Sequence, residues 1–474
     1  MTLASVTAGG AGDVRIVSAT GDLDVQVVTA ADDLVALTAT SGAINDASGT
    51  EADNITASDV ALRASTGIGD ASTDADDLDL AVTNLAATTA TGDISISDDG
   101  TLDVTTVDGL MGVTITGAGD EILIREGTTT DGDFDVSQTI SNAGTGNVTL
   151  FAGGDSSSDE IDIAADVTAS GGNIQIVSFA DVDFNGSPTV STSGAGTIEV
   201  HAGRVFNFGA ALTMGDTEGD LFDAAEYTIQ TAGGDVTLTA TNDIELDTVN
   251  AGSGTVIVTA DSDSSGAGSI DDELTAETSN ITAASTALRA ATGIGSAEDI
   301  DTTVSTISAT NSTSGNIQID NGNGTDLTIG TVDSLAGITN DGGSILVNNL
   351  NGMLTVNQAV STAAGTGGSL SLSGSLEINA TVDAGQFDVT LNGNDNGDDD
   401  LVVNAAVTSA NDLDLTASRD IQVNATVSSG TSVDIEAGRD IIANGLVETT
   451  GGFLGIRLIA DDDDDGSGLS LIHI

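Results

Sequence analysis

Short stretches of alternating aliphatic and polar residues recur along the whole chain, each led by a Gly-Asp or Gly-Asn pair. Gly12-Asp13-Val14-Arg15-Ile16, Gly92-Asp93-Ile94-Ser95-Ile96 and Gly146-Asn147-Val148-Thr149-Leu150 show the pattern. So do Gly172-Asn173-Ile174-Gln175-Ile176, Gly234-Asp235-Val236-Thr237-Leu238 and Gly315-Asn316-Ile317-Gln318-Ile319. Aliphatics at period two share one face of a strand, so each stretch reads as a turn feeding a short, half-buried strand. The leading glycine is expected to supply a turn residue at positive φ. No helical stripe of useful length appears.

The spacing indicates how the strands stack. Asn411-Asp412-Leu413, Arg419-Asp420-Ile421, Thr431-Ser432-Val433 and Arg439-Asp440-Ile441 follow one another at 8, 12 and 8 residues, and the units at Gly234, Asn242 and Gly254 repeat the 8-then-12 rhythm. Eight plus twelve makes a 20-residue turn, the mark of a solenoid whose turns bury their apolar rows only against neighbouring turns. The expected fold is all-β, a parallel β-helix with roughly 23 turns between residues 1 and 460. Val236, Leu238, Ile244, Leu246, Val256 and Val258 are expected to point inward.

A longer repeat lies above this one. Asn54-Ile55-Thr56-Ala57 returns in the second half of the chain as Asn280-Ile281-Thr282-Ala283, and Ala61 to Gly69 returns at the same offset as 287–295, with one change in nine, Ser65 to Ala291. Gly42, Ile44 and Asp46 match Gly268, Ile270 and Asp272, again at that offset. Val107, Asp108, Leu110 and Gly112 match Val332, Asp333, Leu335 and Gly337 at an offset shorter by one. The chain therefore divides into a module over 1–226, a duplicate over 227–460, an acidic tail over 461–468 and a last segment, 469–474, unlike the repeats. That segment, Leu469-Ser470-Leu471-Ile472-His473-Ile474, resembles the translation of a common sequencing adaptor. The natural chain is therefore expected to continue past Gly468.

Composition narrows the picture. Aromatics are 2 % and Cys and Trp are absent, so the core must come from Val, Ile, Leu and Ala in narrow repeated layers. Asp and Glu number 74 against 8 basic residues, all Arg, for a net charge of −66. Phosphate backbones need a basic footprint, so nucleic acid is not an expected partner, and an anionic membrane surface is disfavoured for the same reason. Self-repulsion of this size suits high salt or abundant divalent cations. No run of 18 apolar residues marks a membrane span, and Met1-Thr2-Leu3-Ala4-Ser5 lacks the features of a signal peptide.

The runs Ala417-Ser418-Arg419-Asp420-Ile421 and Ala437-Gly438-Arg439-Asp440-Ile441, the many Gly-Asn-Ile and Gly-Asp-Val starts, and the Ala-Leu-Arg-Ala…Gly-Ile-Gly block resemble repeats of filamentous-haemagglutinin-type exoproteins and of giant bacterial surface adhesins. The resemblance implies a right-handed parallel β-helix, secretion to the extracellular space or cell surface, and adhesion to host or environmental surfaces, glycans or other cell-surface proteins. The N-terminal secretion domain of that family is not seen in this chain.

Chemistry is sparse. His201 and His473 are the only histidines, and there is no Cys or Lys, so most nucleophile–base schemes fail. Acid pairs could act as acid and base, but 74 acids make such pairs common by chance. The chain is not expected to be an enzyme. A structural or adhesive rod segment is the leading expectation, a glycan-binding or glycan-cleaving β-helix the alternative. A row of aromatics would favour the alternative; Phe206, Phe208, Phe222 and Tyr227 form only a modest cluster. Arg63 and Arg289 hold equivalent places in the two modules, which suggests a repeated structural pairing with Asp, as for Arg419 and Arg439 one turn apart. Calcium is the expected cofactor, if one exists. Asp461, Asp463 and Asp465 lie in a D-x-D-x-D-G run, and Asp261 and Asp263, with Asp272 at position twelve, partly match an acidic Ca²⁺ loop.

Overall fold

The computed structural model describes residues 1–50, 52–71, 77–118, 120–127, 132–153, 159–205, 213–214, 219–223, 226–274, 276, 278–322, 324–363, 365, 367–393, 399–451, 455–460 and 469–472. It is all-β, a solenoid of stacked parallel strands. Two compact units are distinguished, Met1–Gly254 and Thr255–Ile474.

In the first unit, one strand series shows the principle. Ile94 lies beside Ile122, Ile122 beside Val148, Val148 beside Ile174 and Ile174 beside Ile198. All five are fully buried, so the period-two aliphatics of each turn become one continuous row across turns. Each such side chain contributes about 1.5–3 kcal/mol by leaving water. Val236, Leu238, Ile244 and Leu246 in this unit, and Val256 and Val258 in the second, are buried as the pattern requires. Phe184 and Tyr227 also lie inside, stacked with ring centroids 4.3 Å apart. Phe206 and Phe208 lie outside the described residues.

The expected regular period holds only locally. In the second unit Val407, Val427 and Val447 pair at even intervals matching the 8-then-12 rhythm, and Ile421 pairs with Ile441 at the same interval. In the first unit the returns are longer and unequal, from Ile94 to Ile122 and on to Val148, and longest of these from Ile198 to Val236. The chain makes about 17 turns, fewer than the sequence rhythm implies, because many connections carry extra residues. Parallel stacking needs only that each strand return in register, and the loops between are free to vary.

The glycines that lead the strands have two roles. Gly92 and Gly315 have φ of 74° and 84°, as a turn residue in the left-handed region should. Gly146, Gly172 and Gly234 are not in that region. They are small because the turn below leaves no room: a Cβ on Gly172 would sit 2.1 Å from the Gly146 carbonyl oxygen, and one on Gly234 2.1 Å from that of Gly196.

The two units carry an antiparallel hairpin at duplicated positions, and the first unit has a further antiparallel pair between Arg204–Val205 and Thr213–Met214. Thr106–Val107 pairs with Leu110–Met111 across Asp108 and Gly109, both at positive φ; Thr331–Val332 pairs with Leu335–Ala336 across Asp333 and Ser334, also both at positive φ. Two such residues define the tight turn that matches strand twist. In the first unit Val107 and Leu110 pack on Ala36, Ala61 and Ala86 of three successive turns, whose small side chains admit the hairpin. Leu469–Ile472, set apart from the repeats in the sequence, forms a strand beside Asp440–Ala443.

Candidate functional site

The duplicated residues meet equivalent partners. Arg63 pairs with Asp108 at 3.3 Å and Arg289 with Asp333 at 2.9 Å, so each hairpin tip is clasped by an arginine from the stack beneath it. Arg15 adds a second contact to Asp108 at 2.8 Å. Arg419 reaches Asp400 through its Nε at 2.8 Å and Arg439 reaches Asp420 likewise at 2.8 Å. The arginines brace turn against turn, as equivalent placement suggested.

The calcium candidates are distributed differently. Asp461, Asp463 and Asp465 lie outside the described residues. Asp261 and Asp263 share one turn, where Asp261 Oδ1 accepts from the Gly266 N–H at 2.9 Å and the Ser265 hydroxyl at 3.1 Å, and Asp263 Oδ1 accepts from the Ser265 N–H at 3.0 Å. Asp272 belongs to a repeated Asn anchor. Its Oδ1 accepts from Leu274 N–H at 2.8 Å and from the amide of buried Asn280 at 2.5 Å. Asp46 does the same for buried Asn54 at 2.6 Å. Each Asn in turn accepts from the next turn, from Asp79 N–H and Asp301 N–H respectively.

Among the described residues, one group of three acids brings its carboxylate oxygens within 4.8 Å of one another: Asp299, Asp301 and Asp320. Register produces it. Ile300 lies beside Ile319, so Asp301 lies beside Asp320 on the outward face, and Asp299 immediately precedes the strand. A polar recess of about 230 Å³ adjoins, lined by Asp272, Ala297, Glu298, Asp299 and Gln318. Hard oxygen donors at this spacing suit a divalent cation such as Ca²⁺.

The first unit shows what balances the equivalent acid there. Ile55 lies beside Leu80 and its duplicate Ile281 beside Thr302, so Asp77 corresponds to Asp299 and Arg125 to Asn348. Asp77 is buried and ion-paired with Arg125. Where the second unit has Asn348 in place of that arginine, Asn348 donates instead to Asp320 at 2.5 Å, and the acids gather without a guanidinium.

A longer acid array lies in the first unit. Asp103, Asp135, Asp162 and Asp183 pair turn by turn. Burial, then the negative neighbours Asp162, Asp103 and Asp133, pushes Asp135 up to about 6; burial followed by Asp181 and Asp162 brings Asp183 to about 6. Glu160 rises to about 7 and Asp220 to about 6, chiefly by burial. Asp103 Oδ1 and Asp183 Oδ1 have no hydrogen-bond partner. Sequence spacing did not reveal this ladder, because the intervals between its members are unequal and shorten from one turn to the next.

In the second unit a row of amides stacks just past the ends of successive strands, at a position different from the mid-strand acids of the first unit. Asn379 donates to Asn357 at 3.2 Å, Asn404 to Asn379 at 2.9 Å, Asn424 to Asn404 at 2.8 Å and Asn444 to Asn424 at 3.0 Å. An amide both donates and accepts, so it can repeat on every turn; a carboxylate only accepts.

A second recess of about 120 Å³ in the first unit is lined by Asn147, Thr149, Asn173, Ile174, Gln175, Thr197 and Glu199. Its lining contains no aromatic ring on which a sugar would stack. No helix among the described residues is long and apolar enough to cross a membrane.

No protein-family model, no curated protein and no solved structure matches this chain.

Proposed function

We propose that the chain is a structural and adhesive segment of a large secreted or cell-surface repeat protein. One observation carries this reading. Most aliphatic side chains lie in stacked core rows, while outward positions form ladders of carboxylates and amides repeated turn after turn. Such a surface offers many equivalent weak contacts, which act together on an extended surface through effective concentration. Calcium belongs to the same proposal, with Asp299, Asp301 and Asp320 as the ligands that bridge two turns.

Beads coated with the full chain should be retained under flow on mineral and cell surfaces in proportion to coating density, and more strongly with Ca²⁺ than without. Retention no greater than that of uncoated beads would remove adhesion from the reading. A single glycan bound saturably at one site per chain would instead favour the glycan-binding alternative.

A further inference from the structure

Glu126 is fully buried, and neither carboxyl oxygen has a hydrogen-bond partner. It ends the strand Ile122–Glu126 and lies directly beside Asp98, which ends the strand Ile94–Asp98 and is also buried. Each Asp98 oxygen accepts one backbone N–H, Oδ1 that of Val82 at 2.9 Å and Oδ2 that of Gly100 at 3.0 Å, which leaves lone pairs free to accept a proton donor from the next turn. On the other side Glu126 lies beside Ala152. Gly132 approaches so closely that a Cβ there would sit 2.3 Å from Glu126 Oε1, and the Gly132 N–H is given to buried Asp159 at 3.0 Å. Among the described residues, the charged groups that act on Glu126 are Asp98 and Asp99 from one turn and Asp133 and Asp159 from the others; all are negative. Asp53 acts on Asp98. The nearby Arg125 is engaged by Asp77.

The duplicate shows what this position requires. By register, Asp98 corresponds to Asn321 and Glu126 to Asn349. Asn321 Oδ1 accepts from Val304 N–H at 3.0 Å, as Asp98 does from Val82, and Asn321 donates to Asn349 at 2.8 Å. Both asparagines are buried. One copy therefore fills the row with neutral amides, and the other with two acids among further acids.

We propose that Glu126 is held as its neutral acid, so that Asp98–Glu126 is a proton-binding step in the stack whose ionisation loosens the turns containing Ile94–Asp98, Ile122–Glu126 and Val148–Ala152. The proton supplies the donor that the Asn321 amide supplies in the duplicate. Burial first, then Asp159 and Asp98, raises Glu126 to about 9, and burial raises Asp98 to about 7. Both folded values lie above the ordinary ones. From about 4.5 to about 9 the folded chain keeps a proton that the unfolded chain has lost, so stability falls as pH rises through that window and levels off above it.

Hydrogen exchange read by mass spectrometry on the full chain, corrected for intrinsic rates, tests this. Peptides covering those three strands should lose protection until about pH 9, by up to about tenfold per pH unit for each proton involved, Asp98 and Glu126 below about 7 and Glu126 alone above it. Glu126→Gln, which cannot ionise, should flatten the upper part of the fall and leave protection at low pH nearly unchanged. Asp98→Asn keeps the test open should Glu126→Gln fail to fold: it removes a negative neighbour, so the fall should end at a lower pH. A wild-type profile flat above pH 6, an unchanged slope in Glu126→Gln, or an unchanged end point in Asp98→Asn would each overturn the proposal. So would abolition of the slope by millimolar Ca²⁺ relative to chelator, which would make the occupant a cation.

Discussion

Asp98–Glu126 in the first unit and Asn321–Asn349 in the second occupy one place in a duplicated sequence, with the same backbone N–H capping the first member of each row. At other, non-equivalent positions the first unit stacks Asp103, Asp135, Asp162 and Asp183 in mid-strand, and the second stacks asparagines from Asn357 to Asn444 just past its strands. The geometry is shared because a parallel stack asks only that like positions recur about 4.8 Å apart. What recurs decides the response to solvent. An amide row passes a hydrogen bond from turn to turn without a proton to lose, even where one group, the Asn349 Nδ2, has no partner, so it is indifferent to pH. A carboxylate row needs protons or cations, and its stability is tied to their supply.

Exchanging the two rows should give the largest effect. Asn321→Asp with Asn349→Glu places two acids where only amides are held. At alkaline pH the double variant should lose about 2–5 kcal/mol in denaturant unfolding, the scale for an uncompensated buried charge, and should recover much of this in acid. Equal losses at both pH values would show that shape, rather than charge, is what the row requires.

The reverse change in the half-buried ladder should stabilise. Asp135→Asn with Asp162→Asn removes like charges on paired positions, each worth up to about 1 kcal/mol. Asp135 has a raised folded pKa, so its charge costs stability above its ordinary value, with the full cost present above about 6. The gain should therefore appear at neutral pH and shrink in acid. A gain that persists undiminished in acid would point to packing instead of charge.

How much of this could be read from sequence follows from what each feature depends on. The core rows were legible because burial imposes period two on every strand: Val236, Leu238 and Ile244 are where alternation put them. The duplication was legible, and with it the clasp of Arg63 and Arg289. The ladders were not, since which acids stack depends on return lengths that vary from turn to turn. Leu370 meets Val389 after a short excursion, whereas Ile198 meets Val236 only after a far longer one. Asp103 and Asp135 have a hairpin between them, and no fixed spacing announces their pairing. For the same reason the partial acidic-loop match pointed to Asp261 and Asp263, which cap their own turn, with Asp272, which anchors Asn280, while Asp299, Asp301 and Asp320 meet through register.

The hairpin clasps allow a finer comparison. Asp108 is held by Arg15 and Arg63, whereas Asp333 is held by Arg289. These pairs are open to solvent, so each is a weak contact. Asp108→Ala should cost more than Asp333→Ala, by roughly one such pair, and high salt should narrow the gap. Urea midpoints of the two variants at low and high NaCl measure it; a larger loss from Asp333→Ala would show that the turn backbone, not the ion pairs, sets the cost.

Calcium should give the smallest effect and draws the line between the units most finely. In the first unit Arg125 already compensates Asp77, while in the second the corresponding Asp299 joins Asp301 and Asp320 with Asn348 in the arginine's place. A cation bound only by the folded chain stabilises it by about 0.4 kcal/mol when its free concentration equals its Kd. The melting temperature should rise with millimolar Ca²⁺ beyond the rise given by NaCl at matched ionic strength. Asp301→Asn with Asp320→Asn should remove the part contributed by the triad. Asn348→Arg should remove it too, because a guanidinium placed as in the first unit competes with the metal for the same carboxylates. Removal of Asp461 to Asp465 should leave that part intact. If NaCl at matched ionic strength reproduces the whole rise, screening of the −66 surface accounts for the response, and calcium is not a partner of this chain.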